Sequence, residues 1–283
     1  MQRRTTYHHL VGATLALLGF LVAGCGGPEK QIEQKLREHV LFFSNFEKGV
    51  DALSSAGSIL AELDGARTRH LLTDGVQDGY LTFEQDAEAL AYAASGNIGY
   101  RPNKAWSGAV SFWLGVDPAK DLVADYPEPF HIGKRSGNAF PWDDAVISVD
   151  FTKPPRSLRF GVYPNKVGEI SDEMVDANVI SVPGLKWKST EWHHVLITWQ
   201  NFNSGKANAE WALFLDGKEN GRKKGIQIDV TWDMGSQVLR FNHYKYTGKM
   251  DEIAVFDTYM NAADARYLHA PKLPLNVLLK KDR

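Results

Sequence analysis

Trp192-His193-His194-Val195-Leu196-Ile197-Thr198-Trp199, Trp211-Ala212-Leu213-Phe214-Leu215-Asp216-Gly217-Lys218 and Gly248-Lys249-Met250-Asp251-Glu252-Ile253-Ala254-Val255-Phe256 decide the fold. Each stretch is short, rich in β-branched and aromatic residues and bounded by turn formers, which is how antiparallel strands are written. The Asp216-Gly217 pair supplies the positive φ of a tight hairpin turn. Upstream, Gly108 to Leu114 alternates Val110, Phe112 and Leu114 with Ala109, Ser111 and Trp113. Both faces are largely apolar, which predicts a central strand. Further strands are expected at 41–47, 88–92, 98–100, 145–151, 157–163 and 238–241, with Pro154 and Pro155 in a turn because neither can donate to a ladder. Residues 50–86 and the polar insertion 125–144 carry no clear period.

Taken in order, Trp-His-His-Val, Leu-Phe-Leu-Asp-Gly-Lys and Gly-Lys-Met-Asp-Glu-Ile resemble the laminin-G-like branch of the concanavalin A-like jelly rolls, whose members carry patterns such as WHHVAVTW, LYVDGK and GxIDEV. The resemblance covers residues 41–268 and is concentrated after Trp192. It implies an all-β, antiparallel two-sheet β-sandwich with short N-terminal and C-terminal helices. After the last strand, Asn261 is placed to cap a helix, with Asp264 three residues on. Folds of this kind host lectins, adhesion modules and hydrolases alike, so the resemblance does not imply a ligand.

The chain begins with Arg3 and Arg4, then an uncharged run from Leu10 to Gly24 that stops at Cys25. The run is short for a membrane span and reads as a secretion signal over residues 1–24. Leu21-Val22-Ala23-Gly24-Cys25 resembles a bacterial lipobox, which implies lipidation at Cys25. With Gly26 and no Asp after the cysteine, the expected attachment is to the outer membrane. Cys25 is the only cysteine, so the domain is expected to be stable without a disulfide. Residues 25–40 read as a lipid-anchored spacer, partly helical, with Ile32, Leu36 and Val40 on one face. Residues 41–270 read as one β-sandwich and 271–283 as a tail. Beyond residue 24 the chain has 30 basic and 34 acidic side chains, a net charge of −4 with His neutral, which is no footprint for nucleic acid.

Four groups of residues invite chemistry. His193 and His194 are neighbours in a strand, so their rings point to opposite faces and cannot jointly grip one ion. Asp251 aligns with Ile253 and Val255 unless a bulge intervenes, and an inward carboxylate needs hydrogen-bond donors or a cation. Relatives hold calcium with an acid of this strand and carbonyls of the opening strand, so the resemblance implies one structural Ca2+ at Asp251. The alternative is capture by neighbouring loop amides. Glu84-Gln85-Asp86-Ala87-Glu88 matches the Glu-x-Asp-x-Glu spacing of some jelly-roll glucanases, but its segment lacks β-branched residues, and a solvated acidic segment is the favoured reading. Sugar binding needs an exposed flat aromatic beside polar groups, and Trp142 with Asp143 and Asp144 in the 125–144 insertion fits best. Trp106, Tyr244 and Tyr246 follow it, while Trp113, Trp192, Trp199 and Trp211 are expected in the core. The expected function is a membrane-anchored, non-catalytic module for a polysaccharide or cell-envelope glycan. A protein-interaction or adhesion module is the alternative, and a glycoside hydrolase or lyase is the third.

Overall fold

The computed structural model describes residues 27–63, 67–87, 89–135, 145–165 and 171–279. The chain opens with helix α1 (Pro28–His39), then β1 (Val40–Ser44), β2 (Ser54–Ser55), β3 (Glu62–Leu63), β4 (Thr68–Leu71), β5 (Tyr80–Phe83) and β6 (Leu90–Ala93). The middle supplies β7 (Trp106–Gly115), β8 (Glu128–Gly133), β9 (Ala145–Phe151), β10 (Ser157–Val162), α2 (Asp172–Asn178) and β11 (Val179–Pro183). The rest comprises β12 (His193–Phe202), β13 (Ala209–Leu215), β14 (Lys218–Ile226), β15 (Val238–His243), β16 (Gly248–Phe256), α3 (Ala262–His269) and α4 (Leu275–Leu278).

These strands form the expected antiparallel sandwich. The first sheet runs β14-β13-β12-β7-β16-β1-β2, with β5 also paired to β16 and β4 to β5, and the second runs β11-β10-β9-β8-β15-β6-β3. The stretches quoted first become β12, β13 and β16, and the apolar strand at 108–114 becomes β7, central as its two apolar faces required. Between the sheets Ile197, Leu213 and Val255 are fully buried. Phe112 of one sheet lies 5.6 Å from Phe130 of the other, and Phe42 lies 4.7 Å from Tyr92. Each such side chain contributes about 1.5–3 kcal/mol by leaving water. A Cβ at Gly108 would come within 2.5 Å of the Trp199 ring, so the glycine lets that indole lie against β7. Trp199 in turn packs 5.0 Å from Trp106.

Several sequence expectations are corrected. Ile98 to Tyr100 form no strand, since Gly96 and Gly99 take positive φ and turn the chain there. The supposed insertion 125–144 contains β8, whose Phe130 and Ile132 face the core beneath a polar sequence surface. Trp106 and Tyr246 are fully buried and cannot be sugar platforms. Trp192 is partly exposed, with its ring 5.5 Å from Tyr80 and the Lys249 ammonium 4.7 Å from its centre.

The outer face of the first sheet carries its own apolar layer. Ala109, Leu196, Phe214 and Phe256 are covered by Leu36 of α1, Leu268 of α3 and Leu278 of α4. Residues 28–39 are therefore docked against the domain and not a free spacer. Lys35 Nζ reaches the buried Asp264 carboxylate at 2.6 Å, and Tyr267 donates to Glu33 at 2.7 Å. Asn261 and Asp264 form a reciprocal cap at the start of α3, as their spacing predicts. The outer face of the second sheet is polar, with Arg240, His131 and Ser148 in one cross-strand row and Asp150 opposite Arg159. Lysine-rich β14 ends the first sheet, and its charges discourage edge pairing. Among the described residues no helix is long and apolar enough to cross a membrane.

Candidate functional site

The site grows from an irregularity in β16. Its pairing with β7 slips between Asp251 and Ala254, and Glu252 takes φ 51°. Positive φ is costly for a residue with a long side chain, and such strain persists where the surroundings over-determine it. The slip moves Asp251 off the Ile253–Val255 face and sets it opposite Trp113, on the outer side of the sheet. The bulge exception to simple alternation is the one realised.

The loop before β5 then closes over the acid. Val76 N–H donates to Asp251 Oδ2 at 2.7 Å and Glu252 N–H to Oδ1 at 2.7 Å. A Cβ at Gly75 would lie 2.8 Å from Oδ2, so a glycine permits this close passage. Burial pushes the Asp251 carboxyl up to about 8, with the backbone amides pulling the other way. Its partner Glu252 is only 1% exposed, and neither carboxyl oxygen has a hydrogen-bonding partner among the described residues. Burial, then the neighbouring Asp251 and Glu47 carboxyls, raise Glu252 to about 9. At neutral pH Glu252 is therefore a neutral carboxylic acid, able to donate and to accept.

Glu252 lines a cleft of about 380 Å³ between this sheet face and the C-terminal segment. Trp113, Gln77, His269, Lys272 and Leu275 share the lining. The volume falls in the range of small-molecule sites, which are mostly apolar with a few placed polar groups. Trp113 is stacked on His269, with centroids 5.6 Å apart and planes at 24°, and leans on His194 at 5.1 Å. His194 is fully buried, and burial followed by His269 lowers it to about 3, so it is neutral and bonded through Nε2 to Ser111 Oγ at 2.8 Å. His193 instead stacks on Trp187 at 4.4 Å and bonds Asp216 at 2.9 Å. The two histidines serve separate surroundings, as strand alternation demands.

A calcium ion at Asp251 would draw on oxygens that already accept protein donors. Both carboxylate oxygens accept amide N–H groups, and the Phe46 carbonyl after the opening strand accepts from His70. Calcium wants six to eight oxygens. The residues present fit amide capture at Asp251, with the Glu252 and Glu47 carboxyls as the other acidic oxygens beside it.

The other candidates are separated from this cleft or fall outside it. Glu84 pairs with Arg69 beyond the end of β5, and Asp86, at φ 63°, pairs with Lys245 at 2.7 Å, so these two acids do not line one strand. Glu88, Cys25, Trp142, Asp143 and Asp144 lie outside the described residues. Sequence reasoning passed over Glu252, Gln77 and His269. The adjacent Asp251-Glu252 pair was a usable signal, because alternation places one of two neighbouring acids on each face of an otherwise apolar strand.

A scan against protein-family models gives no match, and a search of curated proteins gives none either. Among solved structures, the chain is similar to a botulinum neurotoxin serotype D ligand-binding domain in complex with N-acetylneuraminic acid, at 8% identity and TM-score 0.56 over 85% of this chain and 53% of that one. It is similar to the receptor-binding domain of a mosaic serotype C/D botulinum neurotoxin, at 10% identity and TM-score 0.56 over 84% and 52%. A botulinum neurotoxin serotype G binding domain follows at 10% identity and TM-score 0.53 over 81% and 50%. The chain spans about half the length of each, and at these identities the likeness shows one thing, an antiparallel β-sandwich fold.

Proposed function

We propose that the protein is a non-catalytic module that binds a hydroxyl-rich ligand, a polysaccharide or cell-envelope glycan, and is held at a bacterial membrane by lipid on Cys25. The observation that carries the reading is Glu252. A buried carboxyl without a partner costs about 1–3 kcal/mol of desolvation, and a hydroxyl entering the cleft would relieve it by accepting a hydrogen bond from the acid O–H and donating one to its C=O. Gln77 and His269 beside it extend the same chemistry, and Trp113 gives the cleft an apolar wall. N-Acetylneuraminic acid is the ligand named for one structural neighbour, which makes sialylated glycans a sensible part of the first screen. The segment with Trp142, Asp143 and Asp144 is the second place where a sugar could stack.

A glycan array probed with the full-length protein separates the readings. Binding lost in both Glu252→Ala and Gln77→Ala assigns the cleft, and loss confined to Trp142→Ala assigns the 125–144 segment. A blank array, with envelope proteins recovered by crosslinking, replaces this reading with the protein-interaction module. Release of reducing ends from a bound polysaccharide would make the protein an enzyme. The anchor is tested by Cys25→Ser, which moves the protein from the membrane to the soluble fraction.

A further inference from the structure

The second sheet holds a cluster that the cleft does not use. Glu128 and His131 lie on β8, and His243 lies opposite Glu128 on β15. All three are buried, and one ligand atom from each lies within 4.8 Å of the other two. His131 Nε2 is 3.1 Å from the Lys134 carbonyl oxygen. A carbonyl can only accept, so Nε2 carries the proton and Nδ1 is the ring's other nitrogen, turned to Glu128 Oε2 at 3.2 Å. Either a proton on Nδ1 or a cation shared between Nδ1 and Oε2 would hold this pair together. A proton would need only those two groups. The His243 ring stands edge-on to His131, with centroids 5.0 Å apart, and brings a third donor to the same place.

We propose that Glu128, His131 and His243 bind one divalent transition-metal ion of the zinc class and so tie β8 to β15. Two imidazoles and a carboxylate are a donor set for zinc and not for calcium. Zinc–ligand bonds of about 2.0–2.2 Å at a tetrahedral angle place adjacent ligand atoms about 3.3 Å apart, close to the separation between His131 and Glu128. The bond from His131 Nε2 to the Lys134 carbonyl is the outer contact that metal-bound histidines use to fix their ring. Burial of all three side chains makes the site structural, and water completes the coordination. The site is independent of the Glu252 cleft.

The test uses the full-length protein stripped with a chelator and titrated with Zn2+. One ion is expected to bind per chain, raising the melting temperature by roughly 5–10 °C at a hundredfold excess over Kd. His131→Gln and His243→Gln are each expected to weaken binding by about a hundredfold or more, compared with the 10–100-fold typical of lost outer contacts. X-ray absorption on the zinc-loaded wild type is expected to show two imidazoles, a reading that needs no variant to fold. No zinc bound, equal affinity in both folded variants, or a bound zinc without paired imidazoles would overturn the proposal.

Discussion

The two outer faces of the sandwich are built on opposite principles. On the first sheet Leu196, Phe214 and Phe256 form an apolar layer, roofed by helices from both ends of the described chain. On the second sheet the corresponding surface carries Arg240, His131 and Ser148 in one row, with Asp150 ion-paired to Arg159 beside it. A roofed face works as a second core. On that side a cleft opens beside the roof, where β16 bulges and Glu252 has no partner among the described residues. The difference teaches that burial alone does not mark function here. Buried apolar groups hold the roof, whereas the buried Glu252 carboxyl stands without a partner at the cleft beside it.

The largest effect expected is from Phe214→Ala, which opens a cavity under the roof and lowers stability by about 3–5 kcal/mol in denaturant unfolding. Ser148→Ala on the opposite face should cost about 1 kcal/mol or less. Equal losses at the two positions would break the contrast. Next comes Arg159, whose guanidinium grips Asp150 through bonds of 2.7 and 2.9 Å. Arg159→Ala removes that two-bond ion pair from a largely buried carboxylate, and the cost is about 1.5–3 kcal/mol.

The acid pair sharpens the comparison through pH. In the unfolded chain Asp and Glu release protons near about 3.9 and 4.3, whereas folded Asp251 and Glu252 hold them to about 8 and about 9. The folded state binds more protons across that window, so this pair's contribution to stability falls as pH rises from about 4 to about 9. His194 acts in the opposite sense. It is lowered to about 3 against about 6.5 unfolded, so its contribution is lost as pH falls through that interval. Between about pH 6.5 and 8 the acid pair is still releasing protons, and melting curves in chelator should show Glu252→Gln losing less stability across that interval than wild type. A parallel slope in the two proteins would remove Glu252 from the account. The smallest effect expected is none at all. Calcium added at pH 7 should leave the melting temperature of wild type and Asp251→Asn unchanged, and a shift confined to wild type would restore a calcium site at Asp251.

Much of the fold was legible because β12, β13, β7 and β16 announce themselves by alternation and turn residues, and Asn261 and Asp264 by their capping spacing. The parts missed share one physical cause, which is that a local pattern is silent about what lies across the sheet. β8 was hidden because His131 and Glu128 are polar yet buried, so its alternation of Phe130 and Ile132 looked interrupted. α1 read as a spacer because three apolar residues look thin until Leu36 is seen docked under α3 and α4. The cleft was missed for a related reason. Asp251 attracted attention as an acid in an apolar strand, but the bulge turned it to its amides and left its neighbour Glu252 facing the cavity.

The state of the Glu252 carboxyl is the centre of this account, and it can be read without knowing a ligand. Carbon-13 NMR of labelled glutamate carboxyls, with Glu252→Gln to assign the signal, follows one acid through its titration. The account predicts a carboxyl that remains protonated at pH 7 and titrates near 9. A signal that titrates near about 4.3, like a glutamate in water, would contradict it.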